Sequence, residues 1–142
     1  LPTEFEWSVA AHGGLNQSPY PWGGPYTRNA KGCYLANFKV IGEHNLTEKE
    51  GKVVLAEDAE PDYSMDDAMY TASCTSYAPN DYGLYNTSGN VAEMVVNENG
   101  EVVLAGGSWN SLGNDIRLDA RKDYAGANPF TGFRPILIIK QN

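Results

Sequence analysis

Gly83-Leu-Tyr-Asn-Thr-Ser-Gly-Asn-Val-Ala-Glu93 is the stretch on which the fold turns. It reads as a tight, Gly-containing loop that runs straight into a strand. Val91 to Val96 and Glu101 to Ala105 then flank Asn97-Glu98-Asn99-Gly100, a polar turn ending in Asn-Gly. Two β-rich runs flanking a polar turn that ends in Asn-Gly predict a β-hairpin, for which that dipeptide is a strong short-range signal. Further on, the Ile-rich run from Phe133 to Lys140 is expected to close the fold as a buried strand.

Upstream, Thr3 and Glu6 form a T-x-x-E capping box with Pro2 ahead of it, predicting a helix from Glu4 to Ala11. Phe5 and Val9 are expected on its buried side, with Trp7 and Ala10 as further candidates, and Gly13-Gly14 stops it. From Leu15 to Phe38, Pro19, Pro21 and Pro25 alternate with Gly23-Gly24 and aromatic residues, which spells loop. Residues 43–67 form an acidic insertion containing Pro61, whose charges suit a solvated surface; Lys52 to Ala56 alternates weakly enough for one hairpin. One helix, sparse strands and long loops make an α+β fold with little regular structure.

At 142 residues the chain holds one domain. Its 42% hydrophobic content is too high for a disordered segment. The longest apolar run, Ile136 to Ile139, is far too short to span a bilayer as a helix. A net charge of −8 with no cluster of Lys or Arg excludes the basic footprint of a nucleic-acid binder. The two cysteines, Cys33 and Cys74, either form one disulfide or stay as buried thiols. Leu1-Pro2-Thr3-Glu4 carries neither an initiator Met nor a signal pattern, so the chain is expected to be a piece of a longer precursor.

Four segments, in order, carry a family resemblance: Leu1-Pro-Thr-Glu-Phe-Glu-Trp7, Tyr20-Pro-Trp-Gly23, Gly83 to Glu93, and Gly106-Gly-Ser-Trp109 followed by Gly132-Phe-Arg134. Together they resemble the formylglycine-generating-enzyme-like (FGE-sulfatase) family. That likeness implies a loop-rich variant of the C-type-lectin fold, with residues 1–142 as the C-terminal part of a single such domain. Pro21 to Lys39 and Pro79 to Asn86 are also similar to the gliding-motility and type 9 secretion lipoproteins of the GldK, GldJ and PorK group. That second likeness implies a structural member of an envelope complex with protein partners, possible ring assembly, and a place on the periplasmic face of the outer membrane. Membrane attachment is expected only through an N-terminal lipid anchor outside this chain.

The enzymes of the family use two cysteines that bind copper, since soft Cu(I) requires thiolate ligands. The resemblance places Ser111 and Ile116 at those two positions, so copper and oxidase chemistry are not expected. His12 and His44 have no partner at metal-ligand spacing, and Ser108 lacks the surroundings of a nucleophile elbow. The resemblance does imply structural calcium, held by Asn86 and Glu93 side chains with the Gly89 and Val91 carbonyls. Hard cations want such oxygen sets. A second calcium set is Asn37, the Phe38 carbonyl and Asp67 or Asp66, although Ala68-Met69 departs from the family pattern there.

Arg121, Arg134, Trp7, Trp22 and Trp109 are expected to serve the core. The first reading of function is a non-catalytic interaction module, with Trp109, Asn110, Ser111, Asn114, Asp115 and Tyr124 as its partner surface. The alternatives are a ligand-binding variable protein of C-type-lectin fold and, last, a formylglycine-generating-type oxidase.

Overall fold

The computed structural model describes residues 1–41, 46–55, 68 and 70–139. Its helix, α1, spans Glu4–His12 and begins as the sequence predicts. The Thr3 hydroxyl accepts from the Glu6 amide at 3.2 Å, and the Glu6 carboxylate accepts from the Thr3 amide at 2.7 Å. The Thr3 amide and the Thr3 hydroxyl both donate to the Glu6 carboxylate and hold its carboxyl below its ordinary pKa. Gly13 ends the helix at φ 60°.

The buried face of α1 differs from the expectation. Trp7 and Ala11 are buried, whereas Phe5 is 77% exposed and Val9 is also exposed. Both pairs are spaced i, i+4, so periodicity alone could not choose between them. The larger indole turns inward, where its N–H also finds a carboxylate.

Strands β1 (Leu46–Lys49) and β2 (Lys52–Leu55) form a separate antiparallel hairpin inside the acidic insertion. Glu50 and Gly51 connect them, both at positive φ, as the primed two-residue turns require. Ala56 and the rest of the insertion to Asp67 lie outside the described residues.

The main sheet has four strands in the order β5-β4-β3-β6. At its centre, β3 (Ala92–Val96) and β4 (Val102–Ala105) make the predicted hairpin, with Glu93 opposite Ala105 and Val96 opposite Val102. The Asn97 side chain organises the turn by accepting from the Asn99 and Glu101 amides at 3.0 and 2.9 Å. Strand β5 (Arg121–Asp123) pairs antiparallel with β4, and the two-residue β6 (Thr131–Gly132) pairs parallel with β3.

Phe133 to Ile139 is not a strand, and Phe133 and Ile136 to Ile139 are exposed. Lys140 lies outside the described residues. The far end of the outer edge of β3 is already taken, because the Val96 amide donates to Pro2 O. Thr3 bridges Val96 there, so the chain leaving Gly132 finds no free edge to follow.

Two groups of buried side chains fill the interior. Trp7, Ala11, Val95, Ala105 and Leu118 pack between α1 and the sheet. Tyr20, Ala36, Phe38, Val40 and Ile116 pack among the loops. Tyr20 stacks on Trp22 with ring centroids 4.8 Å apart, and its hydroxyl, whose pKa burial pushes up, donates to Gly113 O at 2.8 Å. The second group lies wholly outside the helix and strands, as an α+β, loop-rich fold implies.

Gly89 shows how closely the loops approach. Its φ is 76°, and a Cβ there would lie 2.2 Å from the Asn37 carbonyl oxygen. Gly100 also has positive φ (81°), but no atom lies within 4 Å of its missing Cβ. Gly89→Ala is therefore expected to cost about 3 kcal/mol or more, against about 1 kcal/mol for Gly100→Ala. Denaturant unfolding of the two variants checks this; equal losses would sink the close-approach account.

Candidate functional site

The Gly83–Glu93 loop is built on asparagines. Asn80 ties it to the helix: its Nδ2 donates to the Ala10 and Ala11 carbonyls at 2.8 and 3.1 Å. Its Oδ1 accepts from the Tyr82 and Leu84 amides. Asn90, at φ 65°, accepts from the Ala72 amide at 2.8 Å, and its carbonyl accepts from the Trp109 amide at 3.0 Å. These side chains supply the pairing that a sheet would otherwise give to buried backbone. Asn80 and Asn90 were missed as organising residues; their only signal is Asn beside Gly or in a turn, which many loops share.

Glu93 lies in the interior at the start of β3. Its carboxylate accepts from Trp7 Nε1 at 2.8 Å and from two nitrogens of Arg134, the nearest at 2.6 Å. The same guanidinium donates to Tyr85 O at 2.9 Å. Arg134 is thus the carbonyl-bonding anchor expected of it, with a carboxylate partner that sequence did not reveal. Arg121 is anchored similarly, to Glu4 and to the Leu118 and Ala120 carbonyls, with its guanidinium 5.3 Å from the Trp7 ring centre.

Of the four residues expected to hold calcium, Asn86, Val91 and Glu93 line one cavity of about 140 Å³, together with Arg134; Gly89 adjoins them in sequence. Asn86, at φ 54°, directs its Nδ2 to the Ser73 and Cys74 carbonyls at 3.2 and 3.1 Å. Its Oδ1 accepts no hydrogen bond from the described residues, so it is free for a hard cation. Oxygen donors of this kind fit calcium. Glu93 is already paired with Arg134, so a calcium ion bound here would have to share that carboxylate.

The second calcium set is placed differently. Asn37 is fully buried, its Nδ2 donating to Tyr70 O at 2.6 Å and to Asn90 Oδ1 at 3.3 Å. Its carbonyl accepts from the Asn90 amide, which makes it a tie between loops. The Phe38 ring packs in the core against the edge of Tyr34. Asp66 and Asp67 lie outside the described residues.

Ser111 and Ile116 present no thiolate pair. The Ser111 hydroxyl accepts from the Ser108 amide at 3.0 Å and lies 3.2 Å from the Ser108 hydroxyl. Ile116 is 0% exposed, packed in the second core group. Beside Ser111 a cavity of about 170 Å³ also touches Asp115, Arg121 and Lys122. The ring of His12 engages the carbonyl of Ser8 in its own helix, and His44 lies outside the described residues. Among the described residues no three His, Cys, Asp or Glu side chains gather as a metal cluster.

The residues expected to form a partner surface differ in exposure. Asn110, Asn114 and Asp115 are exposed, and Trp109, Ser111 and Tyr124 are half-buried. Trp109 sits edge-on between Tyr70 and Phe130, each ring centre 5.1 Å away, a cluster that sequence separation conceals. Cys33 and Cys74 are both free and exposed, so they are neither joined in a disulfide nor buried. Each sits in a loop whose backbone is already secured by asparagine: Asn29 accepts from the Cys33 amide, and Asn86 donates to the Cys74 carbonyl.

Comparison with known proteins agrees with this architecture. The family described as the Sulfatase-modifying factor enzyme 1-like domain, FGE-sulfatase, matches residues 1–139. The formylglycine-generating enzyme of Thermomonospora curvata is 39% identical over 93 residues, covering 66% of this chain and 25% of that protein. The inactive C-alpha-formylglycine-generating enzyme 2 of Bos taurus is 33% identical over 116 residues, 77% of this chain and 32% of that protein. The chain therefore spans between a quarter and a third of these curated relatives. Treponema denticola variable protein 1 superposes with a TM-score of 0.62 at 22% identity, over 94% of this chain and 45% of that one, a likeness of fold. The family thus includes proteins named as enzymes and proteins named as inactive. With the family match running over residues 1–139, this chain belongs to the FGE-sulfatase family and has its C-type-lectin-like fold.

Proposed function

We propose that this chain is a non-catalytic interaction module of a bacterial envelope assembly, of the kind found among gliding-motility and type 9 secretion lipoproteins. The observation that carries the reading is the pair Ser111 and Ile116. One is a hydroxyl bonded to Ser108, and the other is an alkyl group sealed in the core. Neither can ligate Cu(I) as a thiolate does. The named inactive relative supports the same reading, since the fold persists without that activity.

The Trp109–Tyr124 face serves as the partner surface in this proposal. The stretch combines exposed Asn110, Asn114 and Asp115 with Trp109, a ring braced by Tyr70 and Phe130, and such a mix of aromatic and polar residues suits a protein interface. The assembly lies at the periplasmic face of the outer membrane, reached through a lipid anchor, and its subunits form a ring. Among the described residues no helix is long and apolar enough to cross a membrane.

Affinity purification of the full-length protein from its native envelope is expected to bring down stoichiometric secretion or motility components. A protein that elutes alone as a monomer would overturn the assembly role and shift attention to the same face as a small-ligand site. Copper-loaded protein incubated with a thiol peptide is expected to give no formylglycine product, and turnover would refute the non-catalytic reading.

Calcium remains structural in this proposal, bound by Asn86 and the Gly89 and Val91 carbonyls and sharing Glu93 with Arg134. Thermal unfolding in calcium against EDTA is expected to show a rise in midpoint that Asn86→Ala abolishes. Glu93→Gln is expected to cost about 3 kcal/mol even in EDTA, because it leaves Arg134 without its charge partner. An unchanged midpoint on adding calcium would remove the ion from the proposal while leaving the role of Glu93 intact.

A further inference from the structure

We propose that the Leu84–Ser88 segment closes over one buried water molecule held by the hydroxyls of Thr87 and Ser88. Both residues are buried, and neither Thr87 Oγ1 nor Ser88 Oγ meets a hydrogen-bond partner among the described residues. Buried hydroxyls are costly when unpaired, and folded proteins almost always pair them with protein or with ordered water. Both side chains are almost wholly buried, and the backbone on either side is tied to neighbouring segments. Asn86 is held at φ 54° by its bonds to the Ser73 and Cys74 carbonyls, and the Gly89 amide donates to Gly106 O at 2.7 Å.

Space exists beside them. A cavity of about 10 Å³ lies among Pro21, Trp22, Leu35, Tyr77, Thr87 and Ser88. That is the smallest volume, about one probe sphere, that admits a water. No charged side chain lines it, so the occupant is a neutral molecule able to donate and accept. Its position matters more than its size. It sits where three chain segments meet, around Trp22, Tyr77 and Thr87, and bridges loops that share no strand pairing.

Thr87→Val keeps the shape and removes the hydroxyl. If Thr87 holds a water, the variant is expected to unfold about 3 °C or more below the parent, because a buried water loses a partner. If the hydroxyl is unpaired, the variant is expected to be equal or more stable, and that outcome overturns the proposal. A high-resolution crystal structure gives an independent reading should the variant fail to fold. A density peak within hydrogen-bonding distance of both hydroxyl oxygens is expected, and an empty site would end the idea. Replacing sodium and potassium by choline is expected to leave the unfolding midpoint unchanged. A midpoint that depends on those ions would assign the peak to a monovalent cation and overturn the water.

Discussion

The carboxylate of Glu93, gripped by the Trp7 indole and the Arg134 guanidinium, is the interaction on which the rest of the molecule depends. It joins residues separated by 86 and 41 positions, drawing the first helix, the central strand and the segment that follows β6 onto one point. A charge so deeply placed is tolerated only because each oxygen is hydrogen-bonded and an opposite charge lies against it. The exposed pair Arg117 and Asp119 is the useful contrast. Arg117 hydrogen-bonds Asp119 and lowers its pKa, but both side chains face water, where such pairs add little. Burial distinguishes the two pairs. The inner one decides which way the helix faces, and the outer one decorates a turn.

Around this point the fold is held less by ladders than by amides. Asn37, Asn80, Asn86 and Asn90 each bond backbone groups of a distant segment, and each lies in or against the Gly83–Glu93 loop. Loops buried at this density must satisfy their peptide groups one by one. An asparagine offers a donor and an acceptor on a short arm, which suits the task. Positive φ at Asn86, Gly89 and Asn90 lets the chain reverse within a few residues and keep those arms pointed inward. A scaffold of this type leaves its outward surface free to vary, because little of the surface takes part in holding it together.

What the sequence disclosed followed from local rules. The capping box at Thr3 and Glu6, the Asn99-Gly100 hairpin and the stop at Gly13 need only neighbouring residues, and each stands as read. What it concealed depended on competition between distant groups. Phe5 was expected in the core ahead of Trp7, yet the indole is buried, where Glu93, far along the chain, accepts its N–H. The Ile-rich run reads as a strand by composition, yet the far end of the edge it would need is occupied by Pro2 and Thr3. The candidate site divides in the same way. The loop carrying Asn86 and Glu93 was legible as a motif, whereas the engagement of Glu93 by Arg134 and the Tyr70–Trp109–Phe130 cluster required three dimensions.

The exposed run Ile136-Leu-Ile-Ile139 bears on the colloidal behaviour of the chain. Four successive apolar residues, rich in β-branching, are a template for cross-chain pairing. The net charge of −8 opposes that by keeping copies apart, but the repulsion is long-ranged only at low ionic strength. Added salt shortens its reach and leaves the stickiness of the tail untouched. Solubility is then governed by a contest between a diffuse field and four side chains, with ionic strength deciding which prevails.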